Sequence, residues 1–414
     1  MANSFLFVDW VTAEALRILV NQLKVAGYMN TDYNKEYTRD FAVGETVRVR
    51  FPQRYKVRNG ITYDPVGIDE RYTNVTVDQV FGVDFQYDSV EQALKMGRGM
   101  DYVRKMLLAP AVAAIANEID RRAALFAYQN TNNIVGQLGV DPTSMTPIMQ
   151  ARQRMIELAC PPGEKGMIIT PEINTSLVPS LASLFNPNSN ISKQFLEGYI
   201  GRLNGFDWAE DANIYNHTAG TAVTALTVTG AGQSGSTLSV TGTAGQTLLK
   251  GDVISIDAVR QVNPQSRAVV GAGIDKQFVI TQDAILTAGP DTINIYPAIE
   301  GPAAYPGGLY QNVDALPANG AAITLFPGTV APSGKTGSQN LAIHRDAFAL
   351  VGVKMANPTA VEMASHQRDP QTGISIAFVR QFDAVQRRMI NRFDVLMGFG
   401  VLYADNCAVR VLGA

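Results

Sequence analysis

An α+β fold carrying an inserted all-β module is what this sequence predicts, and three observations predict it. Two runs with strand periodicity over 41–87 lead into the longest helical pattern in the chain, from about Asp101 to Gln129. Mixed helix and strand texture follows as far as Asn216. From about 221 to 332 the chain then becomes Gly-, Thr- and Val-rich, with short apolar runs between turn residues, before helix-compatible texture returns at Asn340. At 414 residues and 46% hydrophobic content the chain suits two or three domains, or one elaborated domain, with a sizeable core.

Within residues 1–40, the segment 9–26 reads as an amphipathic helix, because Val11, Ala15, Ile18, Leu19, Gln22 and Leu23 fall near one stripe and Gly27 ends it. Its acidic residues and the lack of a basic leader or cleavage site argue against a signal peptide. In 41–87, Val47, Val49 and Phe51 alternate with Arg48 and Arg50, while Phe81, Val83, Phe85 and Tyr87 repeat every second position. That is the period of a half-buried strand. Asn59-Gly60 supplies a hairpin signal between the two runs, with Pro65 as a second place for the turn. A two-stranded ribbon is marginal in water, so one apolar face needs a partner that the local sequence does not supply. Another copy of the chain is the expected partner.

Residues 88–136 open with a short helix at Asp88-Ser89-Val90-Glu91, interrupted by Gly97 and Gly99. The long helix follows, with Val112, Ile115, Ala116, Ile119, Ala123 and Phe126 on its apolar stripe and Glu118, Asp120, Arg121 and Arg122 outside it. It makes a rod of roughly 40 Å, kinked or broken at Pro110. In 137–220 a helix over 146–160, entered through Thr146 and Pro147, precedes the run MIIT, a turn at Pro171 and LVPSLASLF. In 221–332 the runs LTVTG, TLSVTG, DVISID, QFVIT, TINIYP and AAITLFPG are short strands of a compact β module. Residues 333–414 resume the interrupted domain and end in strand-like runs that complete a central sheet.

Charged residues make up 17% of the chain against a typical quarter or so, a shortfall that falls mainly on the surface and fits large protein–protein contacts. The bland alternative is a β-rich chain kept soluble by Ser, Thr, Asn and Gln. Lys plus Arg number 34 and Asp plus Glu 37, so the chain as a whole lacks the basic excess of a nucleic-acid binder. Apolar runs all fall short of the roughly 20 residues of a membrane span, and a soluble cytoplasmic product is expected.

Candidate chemistry is sparse, and neither a catalytic, a cofactor nor a metal site is expected. Gly328 to Thr336 imitates a phosphate-binding loop but holds five residues between its glycines, and Pro332 has no N–H to offer. His217, His344 and His366 are scattered, as surface or capped histidines usually are. Cys160 and Cys407 read as two buried free thiols, far apart and without CxxC spacing. Gly97-Arg98-Gly99 and Gly398-Phe399-Gly400 read as helix or strand breaks, and Asp69-Glu70 and Glu210-Asp211 as solvated turns. One cluster stands out. Arg48, Arg50, Arg54, Lys56, Arg58 and Arg71 all fall on the ribbon, near Glu45, Asp64, Asp69 and Glu70. They are either a solvated strand face or subunit-interface residues whose charges complement a neighbouring copy.

The order of these pieces resembles the major capsid proteins of tailed bacteriophages, the Hong Kong 97 type fold, over essentially the whole chain. KGDVISIDAVRQVNPQSR followed by FVITQDAILTAGPDTINIYPAI looks like the inserted β domain of coat proteins of short-tailed Salmonella phages. NLAIHRDAFALVGVKM looks like the strand–helix signature of the return from that insertion. The resemblance implies an N-terminal arm (1–40), an extended β-hairpin loop (41–87), a spine helix with the first part of the peripheral domain (88–136) and the first part of the axial domain (137–220). It further implies the inserted β-rich domain (221–332) and the return through the axial domain to complete the peripheral sheet (333–414). It implies a non-enzymatic virion protein, assembled in the host cytoplasm as hexamers and pentamers into an icosahedral shell. The implied partners are a scaffolding protein, a portal protein at one vertex and packaged double-stranded DNA held by non-specific contact, with no membrane. Lys56 and Asn59 lie where some members crosslink, but the sequence offers no acidic catalyst and no crosslink is expected. The rival readings are an encapsulin-type compartment shell and a β-domain adhesin or carbohydrate-binding protein.

Overall fold

The computed structural model describes residues 12–19, 23–32, 46–55, 60–63, 67, 70–88, 108–182, 201–223, 225–271, 273–302, 309–326, 334–356, 361, 363–369 and 372–414. The chain divides into one unit of Met1–Val49, Tyr72–Ala123 and Phe348–Val401, and a second of Arg50–Arg71, Ala124–Ala347 and Leu402–Ala414.

The first unit is organised by the strand Arg388–Val401. One of its edges pairs antiparallel with Tyr72–Asp88, from Thr76 opposite Phe399 to Asp88 opposite Arg388. Its other edge is shared by Ser375–Asp383 and Phe348–Val353. Met363–Arg368 and Thr46–Arg50 lie at the two ends of this six-stranded sheet. The expectation that the 81–87 run has no partner in its own chain is therefore corrected. That partner lies some 300 residues downstream, where a local reading does not reach. Phe81, Val83 and Phe85 are half-buried, with the Phe85 and Phe393 rings 6.1 Å apart and the Arg122 guanidinium 4.3 Å from the Phe81 ring centroid.

Gly82, Gly398 and Gly400 explain how two such strands approach. A Cβ at Gly82 would stand 2.0 Å from the Phe393 carbonyl oxygen, and one at Gly398 would stand 2.1 Å from that of Thr76. Gly398 and Gly400 are accordingly not a break but a place of close backbone contact inside a strand.

The long helix is Ala109–Gln129 among the described residues, about 31 Å at 1.5 Å per residue. Pro110 is the second residue of this described stretch, and the expected earlier part of the rod, 101–107, lies outside the described residues. Val112, Ile115, Ala116, Ile119 and Ala123 are buried as the stripe predicts, whereas Phe126 is only half-buried. Asp120 is a second correction. It is buried, and its carboxylate accepts the backbone N–H groups of Lys24 at 2.7 Å and Ala26 at 2.9 Å. The N-terminal segment is correspondingly helical over 12–19 and turns as a 3-10 helix at Ala26–Tyr28, instead of running as one helix to 26. Of the short helix expected at 88–91, Asp88 instead ends a strand, while 89–91 and Gly97-Arg98-Gly99 lie outside the described residues.

The second unit holds two further sheets and a short strand pair. A mixed sheet runs in the order Ile134–Val135, Ala408–Leu412, Thr336–His344, Lys165–Ile169, Phe206–Glu210, Arg202–Leu203, with Asn216–Thr218 also on Thr336–His344. The helices Thr146–Glu157 and Pro171–Ala182 supply Ile148, Ala151, Met155, Ile173 and Leu177 to its core. Thr146 is the first helical residue, with Met145 at the cap, and Pro147 follows it. NLAIHRDAFALVGVKM forms strand, 3-10 turn and strand, in place of the expected strand and helix.

Within 221–332 an antiparallel sheet runs in the order Ile323–Leu325, Val253–Arg260, Asp275–Ile280, Pro290–Ile299, Gly235–Thr241, Thr227–Val228. Thr247–Leu248 pairs separately with Ala284–Ile285. Alternating residues such as Leu238, Val240, Ile254, Ile256, Phe278, Ile293 and Ile295 close its core. Ile134, Leu138 and Leu412 meet Val253 and Val279 in a separate apolar cluster. Beside it Asn132 donates to the Gln277 carbonyl at 3.0 Å, and Lys276 donates to Asp405 at 2.5 Å. Most of the phosphate-loop imitation, 328–333, lies outside the described residues.

Candidate subunit-contact site

The ribbon arginines separate into two groups. Arg71 makes a two-pronged ion pair with Glu300, at 2.7 and 3.2 Å, and its guanidinium lies 3.7 Å from the Tyr310 ring centroid. Arg54 lies 5.6 Å from the same ring, and the Tyr310 hydroxyl donates to Gln53 at 3.4 Å. A planar guanidinium satisfies a carboxylate and an aromatic face at once, which a lysine could not do. These two arginines therefore have partners in their own chain, in the 221–332 segment. Nothing local announces those partners, because Glu300 is 229 positions from Arg71.

Arg48 and Arg50 are exposed on Thr46–Arg50. The Arg48 guanidinium lies 4.9 Å from the Tyr72 ring centroid. Arg50 stands 3.6 Å from Glu70, with 78% and 70% of the two side chains exposed, and so wet a pair holds little. Lys56 and Arg58 lie outside the described residues, as do Asn59 and Pro65. Gly60 adopts φ +88°, a left-handed turn conformation. Near it Tyr55, Ile61 and Tyr63 are 74%, 96% and 83% exposed. Large apolar side chains left this exposed are what a docking surface presents. Tyr55, Ile61 and Tyr63 flank Asn59-Gly60 in the sequence, and that apolar flank is the local signal for such a surface.

Both cysteines are free as expected, with Cys407 buried and Cys160 half-buried, and of the surface and capped readings of the histidines the contact of His217 with Asp252 fits the capped one. His217 is buried, 2.9 Å from Asp252, and His344 is buried too, so neither is a surface histidine. Cys160 and Cys407 are free and come together beside His344. Contact with Cys160, and then burial, pushes the Cys407 thiol up, while the same contact holds the Cys160 thiol down against the opposing effect of burial. Asp211 is buried and accepts from the Asn213 N–H at 2.8 Å, so it is not a solvated turn residue.

Arg410, in the AVRV strand, is wholly buried and donates to the Gly251 carbonyl at 2.9 Å and to Gln339 at 3.2 Å. Burial pulls its pKa down to about 10 and pushes that of Tyr128, which it faces at 5.8 Å, up to about 12. Among the described residues no helix is long and apolar enough to cross a membrane.

Comparison with known proteins places this geometry in context. The family model described as P22 coat protein, gene protein 5, matches residues 40–413. No curated protein matches. Among solved structures, a chain of Mycobacterium phage Che8 is similar with a TM-score of 0.48 at 12% identity, covering 94% of this chain and 90% of that one. The capsid of Ralstonia phage GP4 gives 0.45 at 8% identity, with 94% and 88% covered. The capsid of the cyanophage P-SCSP1u gives 0.43 at 10% identity, with 94% and 86% covered.

Proposed function

Since this chain belongs to the P22 coat protein family and is a structural protein of the phage capsid, we propose that its exposed ribbon surface is where one subunit grips the next. Copies of the chain associate into the icosahedral shell of the virion. On our reading they do so as hexamers and pentamers, with a scaffolding protein present during assembly and a portal protein at one vertex. Packaged double-stranded DNA then meets the inner surface without sequence preference. The protein's work is association, not catalysis.

The observation that carries the interface reading is the exposure of Tyr55, Ile61 and Tyr63 on the same ribbon as the exposed Arg48 and Arg50. Burying such apolar side chains on a neighbour gives affinity, and the arginines set register by pairing with acidic groups there. Each contact is modest, and closed symmetry repeats it around the shell. Arg54 and Arg71 serve a different end, since they tie the connection between the ribbon's two strands to Tyr310 and Glu300. The segments 1–40, 41–87, 88–136, 137–220, 221–332 and 333–414 then act as arm, loop, spine, axial, inserted and closing parts of one subunit.

Electron microscopy of the protein coexpressed with a scaffolding protein tests this. The unaltered chain is expected to give closed shells, and Arg48→Glu with Arg50→Glu to give soluble, folded subunits without shells. Normal shells from the double variant would mean that these charges face solvent.

A further inference from the structure

Cys160, His344 and Cys407 are far apart in the chain, yet the second unit gathers them into one cluster. Cys160 follows the helix Thr146–Glu157, His344 ends the strand Thr336–His344, and Cys407 ends the short helix Ala404–Cys407. Their sulfur and imidazole nitrogen atoms all lie within 4.8 Å of one another. A point in their plane is therefore within about 2.8 Å of all three, and small side-chain rotations bring that to the 2.0–2.3 Å or so of metal–nitrogen and metal–sulfur bonds.

A second observation points to a ligand. His344 is 4% exposed, and its Nε2 is buried without a hydrogen-bond partner. Buried polar atoms are nearly always satisfied, so an orphan of this kind calls for an explanation. The space beside it is kept open by a glycine, since a Cβ at Gly163 would stand 2.5 Å from that nitrogen. The other ring nitrogen, Nδ1, is already engaged, for it accepts the Asp346 backbone N–H at 3.2 Å.

We propose that Cys160, His344 and Cys407 bind one thiophilic divalent cation of the zinc class, held by two thiolates and the His344 imidazole. The charge balances. Each thiol gives up its proton to solvent, and two thiolates with one doubly charged cation leave a neutral centre, which a buried site tolerates where a bare charge would not be tolerated. Soft sulfur donors select zinc over magnesium or calcium, which favour oxygen. Binding through Nε2 places the proton on Nδ1, where it exchanges the backbone contact for the Asp346 carboxylate, now 3.7 Å away. A carboxylate behind a ligating histidine fixes the ring and raises its basicity.

Cys407 also lines a cleft of about 400 Å³ together with Asp346, Tyr403 and Asn406, through which water would reach a fourth position on the ion. The ion would staple the bend after one helix, the end of a core strand and the chain's closing segment.

The purified, reduced full-length chain is titrated with cobalt(II), then with zinc(II), and metal content and thermal midpoint are measured in parallel. The expected result is one cobalt per chain with intense thiolate-to-cobalt charge-transfer absorption, displaced by zinc, and a midpoint that rises with zinc and falls with chelator. Cys160→Ser and His344→Gln are each expected to weaken binding more than about tenfold while circular dichroism stays unchanged. Cys160 is only partly buried, so Cys160→Ser separates loss of binding from failure to fold. Absence of the charge-transfer band in the folded, reduced chain, or the same cobalt affinity in both variants, would overturn the proposal. So would a Cys160–Cys407 disulfide that persists in the reduced buffer.

Discussion

Glu118 accepts two hydrogen bonds from Arg121, both at 2.8 Å, and one from Arg122 at 2.6 Å, on the face of the long helix opposite its apolar stripe. The bond from Arg121 is the main cause that holds its carboxyl at about 2, against burial and with Arg122 assisting, where an ordinary glutamate sits at 4.5. A depressed carboxylate stabilises the folded state above the unfolded value and loses that contribution as pH falls through the folded one. Chemical denaturation between pH 7 and about pH 2 is therefore expected to show a decline in stability that Glu118→Gln flattens below pH 4.5. An unchanged acid limb in the variant would show that these pairs contribute nothing. Glu118, Arg121 and Arg122 were legible as a charged helix face because their spacing alone sets it. Asp120 was not, because its partners, Lys24 and Ala26, lie nearly a hundred positions away.

The alternating run 81–87 identified its strand, since a period of two is a local property. The pairing of Tyr72–Asp88 with Arg388–Val401 was not legible, since nothing in one strand names the edge it will meet. Gly398 carries that contact. A methyl group there would push into the Thr76 carbonyl and within 2.8 Å of the Val77 Cα, beside the register shift between Val77 and Gln79. Gly398→Ala is expected to cost about 1–3 kcal/mol in urea unfolding, as overpacking does, and to speed hydrogen exchange along 76–80. Full stability in that variant would mean that the two strands have room to spare.

For the whole molecule, a net charge of −3 on 414 residues means that copies repel each other weakly. Light scattering is expected to find assembly at low salt without a screening requirement, and still at several times physiological salt, only slower, because salt screens the exposed arginines and leaves the apolar contacts. Assembly abolished by salt would shift the weight to ion pairs. The α+β class, the β-rich texture of 221–332 and the low charge are legible along the chain, because periodicity, turn residues and composition are local or additive. Only the tertiary structure decided that Arg54 and Arg71 turn inward to Tyr310 and Glu300, while Arg48, Arg50 and the apolar turn remain outside. It alone brought Cys160, His344 and Cys407 together. Those outcomes depend on which distant segments share a core, and a sequence read along its length does not carry that information.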